Sequence, residues 1–217
     1  MKKWAFVSDF DGTISKKDFY MLVIEKYYPE GRGLFQKWKS GEMKDIDFLR
    51  NVFSSIGQNE EQIKKDIAAM PIDEHVPSFI EKVQENGGDF YILSAGTDYY
   101  IHHILKEYGI RNVKVFSNEG YFHDNSVHLN IDENDWYYSE RYGIDKSVVI
   151  KKLKEEYDTI FFIGDSEPDS HPAVHTDLTF AKEGLQGLLR EKDVPFVAVD
   201  DFKEVEDYLI KEGMIAG

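Results

Sequence analysis

The stretch that most constrains this chain is Trp4 to Thr13, WAFVSDFDGT. Trp4 to Val7 is a short apolar, partly aromatic run of the kind that forms a buried strand. It stops on Ser8, Asp9, Phe10, Asp11, Gly12 and Thr13. A strand ending in two carboxylates and a glycine puts charge at the carboxyl edge of a sheet, where open α/β sheets bind their ligands. Taken alone the pair has a plainer reading, because Asp-Gly is an ordinary turn dipeptide and the aspartates would then only cap the turn.

The remaining chain has two rhythms. After Thr13 the apolar positions Phe19, Leu22, Val23 and Tyr27 fall at helical spacing, with a break at Pro29 to Gly33. Phe35 to Trp38, Ile46 to Phe53 and Ile63 to Met70 read as further short helices, so residues 15–75 are expected to form a helical insertion over the end of the first strand. From Pro77 onward helices and strands alternate. Strands are expected at Phe90–Leu93, Val113–Phe116, Thr159–Ile163, Leu178–Ala181 and Phe196–Val199, with helices between them, including Lys146–Tyr157. GYFHDNSVHLN (Gly120–Asn130) alternates around an Asp-Asn turn and predicts a hairpin. The fold class is therefore α/β: a Rossmann-like three-layer sandwich with a mostly parallel sheet (1–14 and 76–217), carrying a small helical cap (15–75) inserted after the first strand.

Composition narrows the partners. The apolar fraction of 41% suits a folded chain of 217 residues, and the absence of cysteine removes disulfides and thiolate metal sites. Forty-one acidic against 26 basic residues give a formal charge of -15, which disfavours nucleic acid. The opening MKKWAFVSD turns acidic too soon for a secretory h-region and no apolar run is long enough for a membrane span, so a cytoplasmic protein with no membrane partner is expected. A homo-oligomer remains open.

Three expected strands end in polar, glycine-containing loops: DFDGT, SAGT (Ser94–Thr97) and GDSEPD (Gly164–Asp169), with Lys146 between the last two. Parallel strands present their carboxyl ends at one edge, so these loops should converge on one crevice. With Asp9, Asp11, Gly12, Thr13, Ser94, Lys146, Gly164, Asp165 and Asp169 in this order, the chain resembles the haloacid dehalogenase-like (HAD) superfamily of phosphatases. The insertion is similar to the cap of its phosphoserine phosphatase-like branch. Within that branch the chain looks most like the group that acts on 2-hydroxy-3-keto-5-methylthiopentenyl-1-phosphate in methionine salvage. It departs from the branch at Ala95, Ser147 and Pro168, where glycine, proline and asparagine are usual.

Hydrolysis of a phosphate monoester requires a nucleophile, a proton donor and neutralisation of charge. Asp9 suits the nucleophile, forming an aspartyl-phosphate, and Asp11 the general acid and base. Two carboxylates beside a phosphate call for a hard divalent cation, Mg2+, held by Asp9, Asp165 and the backbone carbonyl of Asp11. Lys146 would neutralise phosphoryl oxygens, and Ser94 with the amides of Ala95 and Gly96 would bind the phosphate. The resemblance adds Thr13 to that group, and Asp169 would orient Lys146 or a metal-bound water. Singly each has a bland alternative: a solvated lysine, a helix cap at Asp169, a turn serine.

Arg50, on a helix with Phe48, Leu49 and Phe53, is a candidate contact for the substrate's organic half, against the plainer reading of a solvated arginine. The cluster WYYSERY (Trp136–Tyr142) is expected to pack on the sheet. His102 and His103, being adjacent, and His171 and His175, separated by Pro172, make poor metal pairs. The expected activity is hydrolysis of a small phosphorylated metabolite. Phosphoserine hydrolysis, phosphotransfer or mutase chemistry, and a non-catalytic phosphate-binding module are the alternatives.

Overall fold

The computed structural model describes residues 3–217; residues 1 and 2 of the expected 1–14 segment lie outside it. From β1 (Trp4–Ser8) the chain passes through α1 (Phe19–Lys26), α2 (Gly31–Lys39), α3 (Asp45–Ser54) and α4 (Glu60–Ala68), and α5 (Val76–Glu85) returns it to β2 (Asp89–Thr97). There follow α6 (Asp98–Glu107), β3 (Val113–His123), β4 (Ser126–Asn130), the short ribbon β5 (Tyr138–Ser139) and β6 (Gly143–Ile144), α7 (Lys146–Leu153) and β7 (Thr159–Gly164). A 3₁₀ turn (Glu167–Asp169), α8 (Ser170–Ala173), β8 (Leu178–Ala181), α9 (Glu183–Glu191), β9 (Val197–Ala198) and α10 (Phe202–Lys211) complete the chain.

Seven strands form one sheet in the order β4-β3-β2-β1-β7-β8-β9, parallel except for β4. The alternation within β1 explains the layers. Phe6 points into one apolar cluster, its ring 4.8 Å from Phe79 and 5.6 Å from Phe90, whereas Ala5 and Val7 point into a second cluster on the other face. Ser8 pairs with Ile92 on one side and Ile163 on the other. Successive strands depart in opposite directions from β1, so the crevice of such a sheet opens at its carboxyl end.

Four local departures from the sequence reading have physical causes. The expected break at Pro29–Gly33 is shorter, because α2 already starts at Gly31; this glycine is buried where a Cβ would lie 2.7 Å from the Tyr28 ring. The strand expected to stop at Leu93 continues through Ser94–Thr97, with a register shift against β3 that re-aims these residues. The strand beginning at Val113 runs unbroken into the hairpin, whose turn residues Asp124 and Asn125 have φ of 44° and 58°. Finally, α7 ends at Leu153 rather than Tyr157.

The helices between β1 and β2 are tied to the rest of the chain at both ends of α3. The Ile46 amide donates to the Arg141 carbonyl (2.9 Å), and the Ser126 hydroxyl donates to the Ser54 carbonyl (3.0 Å). No helix among the described residues is long and apolar enough to cross a membrane.

Candidate active site

Lys146 begins α7, whose first amides are capped by Asp145: Ser147 N donates to its carboxylate at 2.8 Å. That cap directs the buried lysine between two carboxylates, its Nζ donating to Asp9 Oδ1 and to Asp169 Oδ1, each at 2.6 Å. The other oxygen of Asp169 accepts from the amides of Asp165 (3.0 Å) and Ser166 (3.2 Å). Asp169 is thus fully engaged and holds both Lys146 and the loop after β7. Gly164 is required here, since a Cβ would fall 2.4 Å from Asp169 Cγ.

Asp9 continues β1, its amide donating to the Ile163 carbonyl at 2.9 Å. Oxygen atoms of Asp9, Asp165 and Asp169 lie within 4.8 Å of one another. Three carboxylates against the single ammonium of Lys146 leave two formal negative charges in a largely buried space. Burial, then Asp169, push the Asp9 carboxyl up to about 6 despite Lys146, and burial, then Asp9 and Asp169, push Asp165 up to about 9. Burial would lower Lys146, but Asp169 and Asp9 overcome it and keep the ammonium charged. An all-oxygen donor set with this surplus of charge fits a hard divalent cation.

The side chain of Asp11 faces elsewhere. Its Oδ1 accepts from the Phe19 amide at 3.0 Å and its Oδ2 from the Tyr100 hydroxyl. Burial, then the charge of Asp18, raise Asp11 to about 8, so it carries a proton at neutral pH. Gly96 passes so close that a Cβ would lie 2.9 Å from Asp11 Oδ2 and 1.8 Å from the Tyr100 hydroxyl.

A cavity of ≈ 590 Å³ joins Asp9, Asp11, Ser94, Ala95, Lys146 and Asp165. The structure therefore brings together the residues expected from the three loops and the lysine. Ser94 is buried, and its Oγ accepts from the Gly96 amide at 3.0 Å, which orients that turn. Two positions differ from expectation. Thr13 does not line the cavity: its hydroxyl donates to Asp9 Oδ2 (3.2 Å) and approaches Asp165 Oδ1 (3.5 Å), so it braces carboxylates instead of facing a phosphate. Arg50 is also turned away. On α3 it is Asp45, Leu49 and Phe53 that face the cavity, while Arg50 is exposed with its guanidinium 4.0 Å from Asp47.

Asp18, Tyr20, Trp38, Asp45, Tyr100 and Arg141 line the cavity without having been singled out. The segment expected to pack on the sheet does so in part, Tyr137 against the apolar cluster that holds Ala5 and Val7 and Trp136 edge-on to Phe116 of β3. Its Arg141 and Tyr142 turn to the cavity, the Arg141 fork reaching Glu167 (3.2 and 3.1 Å) and Asp45 (2.9 Å) and the Tyr142 hydroxyl donating to Glu167. Trp136, in the same segment, is 49% exposed. The only available signal was Glu167 itself, inside the quoted GDSEPD.

A sequence model of the haloacid dehalogenase-like hydrolases matches residues 6–171. The chain belongs to this family. It is 29% identical over 205 residues to a 2-hydroxy-3-keto-5-methylthiopentenyl-1-phosphate phosphatase of Bacillus cereus (strain AH187), covering 93% of each chain. It is 27% identical over 238 residues to a protein of the same name from Bacillus pumilus (strain SAFR-032), covering 97% of each. Among solved structures, a phospho-aspartyl intermediate analogue of phosphoserine phosphatase superposes with a TM-score of 0.70 at 19% identity, covering 96% of this chain and 99% of that one. Cytosolic 5'-nucleotidase IIIB bound to cytidine does so with a TM-score of 0.64 at 17% identity, covering 96% and 84%. These two likenesses establish a shared fold. With the family and the named phosphatases, this HAD-family chain is a phosphoric monoester hydrolase.

Proposed function

We propose that this protein is a Mg2+-dependent phosphatase that hydrolyses a small phosphorylated metabolite through an aspartyl-phosphate on Asp9. The substrate named for its relatives, 2-hydroxy-3-keto-5-methylthiopentenyl-1-phosphate, is the first choice. The observation that carries this reading is geometric. Asp9, held by Lys146 at 2.6 Å and with its carboxylate within 4.8 Å of those of Asp165 and Asp169, shares one cavity with Asp11, two residues on. Burial and Asp18 push the Asp11 carboxyl up toward the protonated form that a proton donor needs.

In this reading residues 15–75 are the cap and the remainder the catalytic core. Asp9, Asp165 and the Asp11 carbonyl would hold Mg2+, which would supply charge neutralisation for the phosphoryl oxygens. An Asp9 oxygen attacks phosphorus as the bond to the ester oxygen breaks, and Asp11 gives that oxygen its proton, releasing the alcohol. Asp11, now a carboxylate, takes a proton from water; the resulting hydroxide displaces Asp9 from phosphorus and frees inorganic phosphate. Lys146 fixes Asp9 throughout, and Asp169 holds Lys146. Ser94 and the Ala95 and Gly96 backbone are the phosphate contacts from β2. Thr13 orients Asp9.

The direct test is release of inorganic phosphate from the methylthiopentenyl ester and from a panel of small phosphate esters. Turnover should require Mg2+, stop with EDTA, and fall by at least ~10³-fold in Asp9→Asn. Full activity of Asp9→Asn, or none in wild-type protein with saturating Mg2+, sinks the reading.

A further inference from the structure

Besides the carboxylates, the cavity is walled by Tyr20 of α1, Trp38 of α2, and Leu49 and Phe53 of α3. The Trp38 ring stacks on Phe48 (centroids 4.5 Å apart, 10° between planes) and meets Tyr20 edge-on at 5.5 Å. Its indole N–H donates to Asp45 Oδ1 at 2.9 Å, and Asp45 Oδ2 accepts from Arg141 Nε at 2.9 Å. The other Arg141 nitrogens engage Glu167. Packing on one face and a hydrogen bond at one edge therefore fix the indole, and the chain Trp38–Asp45–Arg141–Glu167 ties that wall to the loop that carries Asp165.

This pairing also limits what the wall can bind. The one guanidinium at this wall that could grip a carboxylate tail bidentately, Arg141, is already spread over two carboxylates. Lys39, also at this wall, rests its ammonium 4.2 Å over the Trp38 ring and so presents a point charge, not a fork. An apolar tail gains from leaving water against the three aromatic side chains and Leu49, and a thioether sulfur has a further attraction to aromatic edges.

Resting on the phosphatase reading above, we infer that Trp38, with Tyr20, Leu49 and Phe53, receives the organic half of the ester. It selects an uncharged thioether or short-alkyl tail over the ammonium-carboxylate end of a phosphorylated amino acid. Asp45 is the positioning residue that orients the indole.

The test compares kcat/KM for n-pentyl phosphate, methyl phosphate and O-phosphoserine, together with calorimetric binding of the three matching phosphonates in Mg2+. Wild-type protein should favour the pentyl compound over the phosphoserine type by at least ~10-fold. The pentyl-to-methyl ratio should fall ~10–100-fold in Trp38→Ala and in the same direction in Leu49→Gln, which keeps side-chain size. Asp45→Ala should lower the ratio and Asp45→Asn, which retains an acceptor, should restore it. A ratio unchanged in both Trp38→Ala and Leu49→Gln, or a preference for the phosphoserine type that Lys39→Met abolishes, overturns the inference. Selective phosphonate binding without turnover of any ester would uphold the wall and refute the phosphatase reading; turnover without selectivity would do the reverse.

Discussion

The surplus charge around Asp9 makes the site a measurable burden on the fold, and a divalent cation should remove it. Asp9 lies near 6 in the folded chain against 3.8 as a free side chain. The folded state therefore holds this proton more tightly than the unfolded state, so stability is full below pH 4, falls as pH climbs through that window, and stays reduced above 6. At 1.36 kcal/mol per pH unit the loss is about 3 kcal/mol, which for a chain of this size is ~6–12 °C in Tm. Asp165, raised further, acts in the same direction.

Saturating Mg2+ should accordingly raise Tm by about that amount at pH 8, and by less than half as much at pH 5, where protons already neutralise the cluster. Asp165, pushed up to about 9, holds its proton at pH 8 in the folded chain and loses it on unfolding. Asp165→Asn removes that linkage, so its chelated form should melt above chelated wild type at pH 8, and its gain from Mg2+ should be lost. Differential scanning calorimetry in EDTA and in Mg2+ at both pH values checks this. An equal gain at pH 5 and pH 8, or an Asp165→Asn protein less stable than chelated wild type at pH 8, would refute the electrostatic argument.

Other consequences follow from single contacts. Asp18 is the largest charge raising Asp11 after burial, so Asp18→Asn should lower the Asp11 pKa and move the alkaline limb of the kcat/KM profile toward acid by about one pH unit; an unmoved limb counts against Asp11 as the proton donor. Gly12 has φ of +77° and a Cβ there would lie 2.4 Å from Asp165 Oδ2, so Gly12→Ala should destabilise by about 1–3 kcal/mol in urea unfolding and weaken Mg2+ binding measured by calorimetry. Arg141→Ala removes a fork on Glu167 and a bond to Asp45. It should lose about 1–2 kcal/mol, with non-additivity in a double-mutant cycle with Asp45→Ala.

What the sequence revealed was what strand ends reveal. Asp9, Ser94 and Asp165 each follow an apolar run that can only be a buried strand, and parallel packing does the rest. Lys146 was legible through its place between two such ends. Contributions from the helices between β1 and β2 were not, because a helix face is set by its rotation against neighbours: Arg50 and Leu49 are adjacent in sequence, yet Leu49 faces the cavity and Arg50 faces out. Arg141 was hidden for another reason. Its role depends on Asp45 and Glu167, partners 96 and 26 positions away, and an aromatic-rich segment around it reads as packing. Thr13, although inside the motif, was misdirected because a hydroxyl at a strand end can serve a phosphate or a neighbouring carboxylate equally well, and only the 3.2 Å approach to Asp9 decides it.

The chain's net charge of -15 sets the remaining problem, since a phosphate dianion must approach a surface that repels it. Within the cavity Lys146 is buried and committed to Asp9 and Asp169, and Arg141 is committed to Asp45 and Glu167, which leaves the exposed Lys39 as a single mouth charge against the general field. On the proposed function, recognition of the phosphoryl group should then be a short-range event, with Lys146, the backbone amides and a bound cation acting inside a space where screening by water is weak. Specificity for the ester's other half must come from contacts that carry no charge. An acidic surface with an aromatic inner wall is consistent with both conditions: on the phosphatase reading, discrimination between esters should arise once the tail has left water.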